Sequence, residues 1–301
     1  MGEVKRIARV LAALGLAVAL VAAPASAGAV VTTVSFVAHQ DDDLLFMNPD
    51  ILNDIKNGDN VWVVYLTAGE LPCGEGFQEC GLPYADKRIQ GVRAAYARAA
   101  DKPNNWTYQA MTFNGRQVAT NTLDGTNVRL VFTFIHAAGG SDQCGDLARM
   151  VNSSTYVAQP IDGRASYTRA SFVAMLRAII TTAQPNLIRS QNSLGHRDPV
   201  PDRDHVDHIA GAILTAAADA DAAGNTVVRR DEYLGYVIRG YPDNVFGTDR
   251  TEKTAVWDQY WPHDFQLGAG DWSNVMGRQY SPDGRVFPVG HPWIPPGDFH
   301  C

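Results

Sequence analysis

The 301-residue sequence has only four cysteines, a modest 19% of charged residues and no excess of positive charge: 25 Lys+Arg face 32 Asp+Glu, for a net charge of -7. It carries no basic stripe, which argues against nucleic acid as the main partner, because phosphate binding needs clustered Lys and Arg. It has no internal repeat, no collagen-like or low-complexity tract, and no second apolar run of membrane length after the first. With 46% apolar and 9% aromatic residues it is a globular composition able to bury a full core.

The one long apolar run lies at the start. Lys5, Arg6 and Arg9 precede Val10 to Ala23, and Ala25-Ser26-Ala27 forms a small-x-small cleavage signature. This reads as a Sec-type signal peptide, cut after Ala27, rather than as a stable membrane anchor. Neither a lipid-anchored Cys after the cleavage site nor an Arg-Arg pair in this segment points to another route. The expectation is a secreted protein with residues 28–301 as one domain. Export permits disulfides, and all four cysteines lie in the exported part. Cys73 and Cys80 flank a short loop, which leaves Cys144 and Cys301 as a second pair, although four cysteines allow three patterns.

Beyond the leader, strand-like and helix-like patterns alternate. Buried strands are expected at 30–38 (VVTTVSFVA), 61–67 (VWVVYLT), 128–135 and 186–189. Helices are expected at 49–57, 84–100, 166–183 and 207–223, with residues 139–165 as a long Gly/Ser/Asp-rich loop and an irregular region from Tyr241. Such alternation implies an α/β fold: a doubly wound, mostly parallel, Rossmann-like sheet flanked by helices.

Two clusters carry chemistry. His39-Gln40-Asp41-Asp42-Asp43 begins where the first strand ends, the position at which open α/β sheets bind ligands. Successive carboxylates raise one another's pKa, and a divalent cation neutralises them; a solvated acidic turn is the alternative. Asp202-Arg203-Asp204-His205-Val206-Asp207-His208 precedes an Ala-rich helix, with Asp204 as a candidate N-cap and His205 and His208 on one face. The positive end of the helix dipole predicts neutral, metal-competent imidazoles. An exposed polar helix start is the alternative here. His, carboxylate and His together make the ligand set of an open catalytic zinc site.

Ala38-His39-Gln40-Asp41-Asp42-Asp43 resembles the Ala-His-Pro-Asp-Asp-Glu motif of the PIG-L/LmbE-like zinc de-N-acetylases, and His205-Val206-Asp207-His208 resembles that family's His-Pro-Asp-His motif. Leu44 to Asp50, Val64 to Gly69 and Lys87 to Ala97 follow in the expected order, so that the likeness spans roughly residues 30–260. The resemblance implies one zinc ion per chain held by His39, Asp42 and His208. It implies Asp41 as the general base and His205 as the group that stabilises the oxyanion or protonates the leaving amine. It implies Arg88 as a substrate contact, where the residue pattern alone equally allows an exposed helix arginine. The substrate implied is a small molecule or oligosaccharide bearing an N-acetyl group, of N-acetylglucosaminyl type.

The chain departs from the pattern at Gln40 for Pro, Asp43 for Glu and Val206 for Pro. Gln40 is expected to alter only turn stiffness, and Asp43 to shorten or lose an outer hydrogen bond. His205 in place of His208 is the alternative ligand register. Two other readings remain open: a metal-containing carbohydrate-binding protein without catalysis, and a secreted protein with calcium on Asp41–Asp43. Tyr233–Tyr241 and Trp257–Trp261 are expected to rim a sugar site. Trp62, Trp106, Trp272 and Trp293 are assigned to packing, His136, His263, His291 and His300 to surface or structural places, and His196 to the neighbourhood of the pocket. Oligomeric state is not readable.

Overall fold

A computed structural model of the protein describes residues 30–139, 144–193, 204–221, 229–267 and 272–281. The expected signal peptide at 1–27, His196, His291, Trp293, His300 and Cys301 lie outside the described residues, and with Cys301 the expected Cys144–Cys301 bridge. The other bridge, Cys73–Cys80, is formed.

In chain order the elements are β1 (Thr32–Val37), a π-helical turn (Asp43–Met47), α1 (Asp50–Asn57), β2 (Asn60–Tyr65), α2 (Gly81–Ala99), β3 (Trp106–Phe113), β4 (Arg116–Leu123) and β5 (Val128–Phe132). They continue with α3 (Gly145–Asn152), the short β6 (Val157–Ala158) and β7 (Tyr167–Thr168), α4 (Arg169–Ala183), β8 (Leu187–Gln191), α5 (Val206–Asp221), β9 (Arg229–Tyr233), α6 (Gly247–Tyr260) and the single-turn α7 (Ser273–Met276). Seven strands form one sheet in the order β3-β4-β5-β2-β1-β8-β9. The five strands from β5 to β9 pair in parallel, and β3 and β4 add antiparallel at one edge. The expected single-domain, mostly parallel α/β sheet is therefore the fold.

Strand alternation divides the core in two. In β2, Val61, Val63 and Tyr65 face one layer, while Trp62 and Val64 face the other; Val37 and Phe36 of β1 divide the same way. Period-two alternation on a strand apolar on both faces demands cover on both sides. α1, α2 and α6 supply it on one face, α3, α4 and α5 on the other. α2 approaches α6 closely at Gly91, where a Cβ would come within 2.8 Å of the Tyr260 ring.

Several stretches differ from the sequence expectation. The long loop at 139–165 contains α3, whose Leu147, Met150 and Val151 reach the core. The region after Tyr241 contains α6, with Lys253, Val256, Trp257 and Tyr260 on its buried side. The β3–β4 hairpin and β9 were not expected at all. β1 lies between β2 and β8, which leave it in opposite directions across the sheet, so its carboxyl end opens at the crevice where the connections diverge. No described helix is long and apolar enough to cross a membrane.

Candidate active site

The chain leaves β1 straight into His39–Asp43, all five residues buried. Asp42 turns back on the strand end: one of its oxygens, Oδ2, accepts the His39 backbone N–H at 2.7 Å and lies 3.3 Å from His39 Nδ1. Its other oxygen, Oδ1, lies 2.9 Å from Nε2 of His208, in the first turn of α5. Neither of these two atoms is hydrogen-bonded, although both are fully buried. Buried polar atoms are seldom left unmatched. Without a metal the two form an ion pair when the ring is protonated, and a cation that took the place of that proton would be ligated by both.

The far sides of both imidazoles are anchored by carboxylates. His208 Nδ1 meets Asp204 Oδ1 at 2.8 Å, and His39 Nε2 meets Asp207 Oδ2 at 3.1 Å. Asp207 is itself fixed by the Ala138 backbone N–H at 2.7 Å. Carboxylates behind histidines set the tautomer and ring orientation of metal ligands. Among the described residues, His39 with Asp41 and Asp42, and His39 with His205 and His208, have ligand atoms close enough together to hold an ion. The donor set of nitrogen and carboxylate oxygen fits zinc better than calcium, which prefers an all-oxygen shell.

Four buried carboxylates, Asp41, Asp42, Asp204 and Asp207, thus surround two imidazoles. Burial alone would lower the pKa of His39, but Asp42 and Asp207 overcome it and push it up to about 9. His208 rises well above the usual histidine range, because Asp42 and Asp204 outweigh its burial. The helix-dipole expectation of two neutral rings is corrected for His208: paired carboxylates act at contact distance, whereas the dipole is diffuse. The pattern shows a site that demands positive charge. The expected capping is also different, since the Asp204 carboxylate holds His208 and the Asp207 carboxylate holds His39.

His205 is the exception. Its ring is partly exposed and lines a cavity of about 330 Å³ with His39 and Asp41. Burial and the neighbouring His39 press its pKa down to about 4. The Asp207 backbone N–H donates to its Nδ1 at 3.2 Å, which leaves the proton on Nε2.

Arg88 is not the exposed helix arginine that its pattern allowed. It projects from α2 into the cavity wall, buried, with every nitrogen engaged. Nη2 donates to Asp41 Oδ1 at 2.6 Å, Nη1 to the Gly69 carbonyl at 2.7 Å, and Nε to the Tyr260 hydroxyl at 2.8 Å. Nε is also 2.9 Å from Asp264 Oδ2. Asp264 accepts the hydroxyls of Tyr260, at 2.6 Å, and of Tyr84. Burial raises Asp41 above the usual carboxylate range, and Arg88 only partly opposes this. Asp264 stays below that range because Arg88 and the two tyrosines outweigh its burial. Asp264 carried no sequence signal, as it is recognisable only by partners far along the chain, whereas Tyr260 lies within the Trp257–Trp261 cluster expected at the rim and instead holds Arg88 and Asp264.

The departures from the motif also find their places. Gln40 does more than relax a turn: its amide donates to the carbonyls of Thr67 at 3.3 Å and Ala68 at 3.0 Å, stapling the end of β1 to the end of β2. Gly69 sits against it with φ +62°, and a Cβ there would lie 2.0 Å from the Gln40 side-chain oxygen. Asp43 meets its expectation in part: its buried Oδ1 has no hydrogen-bond partner, while Oδ2 accepts two. Tyr65 donates to it at 3.0 Å and Tyr96 at 2.5 Å, and burial raises it to about 7. Val206 opens α5.

The expected aromatic rim is only partly present. Tyr236 lines the cavity and stacks on His208 at 5.4 Å, but Tyr233 is buried against Asp50, and Trp257 is in the core. No described tryptophan lines the cavity. His136 sits beside the cavity with Nδ1 2.6 Å from the buried Glu70.

A family model described as GlcNAc-PI de-N-acetylase, PIG-L, matches residues 34–218. No curated protein matches the chain. Among solved structures, the A40926 pseudoaglycone deacetylase Dbv21 is 14% identical, with a TM-score of 0.46 over 81% of this chain and 86% of that one. The N,N'-diacetylchitobiose deacetylase of Pyrococcus horikoshii is 15% identical, with a TM-score of 0.45 over 82% and 76%. The 4-carboxy-2-hydroxymuconate hydratase of Pseudomonas putida is 17% identical, with a TM-score of 0.43 over 81% and 82%.

Proposed function

The chain belongs to the PIG-L family of GlcNAc-PI de-N-acetylases, and from that premise we propose that it is a secreted, zinc-dependent N-deacetylase that removes acetyl from an N-acetylated amino sugar or its conjugate. The observation that carries this reading is the fully buried contact of Asp42 Oδ1 with His208 Nε2 at 2.9 Å, beside a cavity lined by His39, Asp41 and His205. His39, Asp42 and His208 would hold the metal, with Asp204 and Asp207 orienting the two imidazoles. The signal-peptide pattern at 1–27 supports export.

Zinc, when bound, supplies a Lewis acid that polarises the amide carbonyl and makes water a stronger acid. The chain's own groups do the rest. Asp41 is the base: its burial makes it a better proton acceptor than a solvated aspartate, and Arg88 fixes one oxygen so that its orientation is set. His205, neutral with its proton on Nε2, donates a hydrogen bond to the oxygen that gains negative charge as water adds. Its lowered pKa favours this over full proton donation. The proton taken by Asp41 then passes to the departing nitrogen, the C–N bond breaks, and acetate and a free amine result.

The test is acetate release from N-acetylglucosaminides by the mature protein, with metal content measured in parallel. The reading expects about one zinc per chain, loss of activity on chelation and recovery on adding zinc. Sugar binding without acetate release at full metal occupancy would sink it.

A further inference from the structure

Just beyond β5 the chain turns at Phe134, a bulky buried residue held at φ +60°, a conformation that costs energy for any side chain of that size. The segment that follows, His136 to Ala138, runs beside the cavity, which Ala137 and Ala138 line. Its three successive backbone N–H groups each donate to a carboxylate from a different part of the fold. His136 donates to Asp146 Oδ2, in the first turn of α3, at 2.9 Å. Ala137 donates to Glu70 Oε2, from the loop after β2, at 3.2 Å. Ala138 donates to Asp207 Oδ2, in the first turn of α5, at 2.7 Å. All three carboxylates are buried. α3 also grips the segment directly: the Asp146 N–H donates to the His136 carbonyl at 3.0 Å, and Gly145 packs so closely that a Cβ there would lie 2.4 Å from the Ala138 nitrogen.

Asp207 depends on this segment in turn. Its Oδ2 meets both the Ala138 N–H and His39 Nε2, while its buried Oδ1 has no hydrogen-bond partner among the described residues. The Ala138 N–H is therefore the hydrogen bond that sets the Asp207 side chain against the His39 ring. Burying three carboxylates against three consecutive backbone groups is costly, and a carbonyl or water would satisfy the same donors. What a carboxylate adds is a shorter, stronger bond that fixes position.

We propose that Glu70 and Asp146 are positioning residues for His39. They lock the 136–138 backbone, the locked Ala138 N–H sets the Asp207 carboxylate, and that carboxylate sets the imidazole. No hydrogen bond among the described residues joins Glu70 or Asp146 to His39 itself, so the influence passes through the main chain. The proposal rests on the zinc reading for its consequence, that His39 ligates the ion. Partners behind a metal ligand change metal affinity by about 10–100-fold.

The test follows the mature protein by two routes. Nitrogen-labelled alanine and histidine report the Ala138 amide and the His39 ring by NMR in metal-free protein. Competition with a chelator reports the zinc Kd. Glu70→Ala should move both resonances and raise the Kd about tenfold, and Asp146→Ala should act in the same direction. Glu70→Gln keeps an acceptor for Ala137 and should restore the parent values, a rescue that mere loss of stability does not predict. If Glu70→Ala does not fold, Glu70→Asp withdraws the acceptor by one methylene, keeps the charge and should give the same shifts. His136→Ala retains the backbone donors and should leave the Kd unchanged. Ala138 and His39 resonances that stay in place in the folded Glu70 variant overturn the proposal. So does an unchanged Kd beside moved resonances, or a Kd raised as much by His136→Ala, which would place the effect in the ring. A parent that binds no zinc, while the Glu70 variant still moves both resonances, defeats the zinc reading and keeps the coupling.

Discussion

On the polar side of the cavity, His39, Asp41 and Asp42 come from one turn at the end of β1, and Asp204, His205, Asp207 and His208 from one turn at the start of α5. The rest of the lining is assembled from distant pieces: Leu71 and Phe77 from a disulfide-closed loop, Arg88 from α2, Asp264 and Leu267 from beyond α6. The first side repeats a short pattern because the strand end and helix start fix its residues' relative positions locally. The rest of the lining has no such constraint and lies partly outside the residues matched by the family model, 34–218. On the proposed reading, reaction type is thus encoded compactly and fit to a particular substrate is dispersed.

That contrast can be broken at several points. The largest effect is expected from His208→Ala, which should reduce bound zinc from about one per chain to little and abolish acetate release; elemental analysis of the purified variant checks it. Retained zinc would transfer the ligand role to His205. Asp41→Asn should keep its metal yet lose about 10²–10⁴-fold in kcat, the usual span for a general base, in steady-state kinetics. Asp264→Ala tests the dispersed side. It removes one of two carboxylates from a buried arginine and should cost ~3 kcal/mol in denaturant unfolding while zinc content is unchanged. If Asp264→Ala lost metal instead, the two sides would not be separable.

A further expected effect is a dependence on pH. In the metal-free protein His39 is raised from 6.5 to about 9. A histidine more basic when folded contributes stability that is complete below 6.5 and is lost as pH rises through about 9. Metal-free protein should therefore melt at lower temperature as pH rises across that window. Zinc affinity should climb over the same window, because binding must displace the proton. Calorimetric scans with and without zinc distinguish the two trends.

The same local-versus-dispersed rule decides what could be read from the sequence. β1 and β2 are legible as nearly continuous runs of β-branched and apolar residues, and α4 because its apolar spacing is regular. The β3–β4 hairpin escaped notice although Asn114-Gly115 sits at its turn with φ of 47° and 73°, the signature of a two-residue hairpin loop. α3 and α6 escaped because glycine, aspartate and aromatic residues around them suggested loop, although Leu147, Met150 and Val151 already had helical spacing. β9 reads Arg-Arg-Asp-Glu-Tyr, and its strand conformation comes from pairing with β8, not from its own pattern. The buried role of Gln40 was hidden because its partners are the carbonyls at the end of another strand.

Asp42 and His208 have no solvent exposure, and the cavity lies on the side of His39, Asp41 and His205. On the proposed reading, entry and exit of an ion share a doorway with the substrate. How fast a chelator strips the site is then a matter of traffic as much as of affinity: a bound sugar should shield the metal, and the half-time of inactivation should lengthen with sugar concentration even though the ligands themselves are untouched.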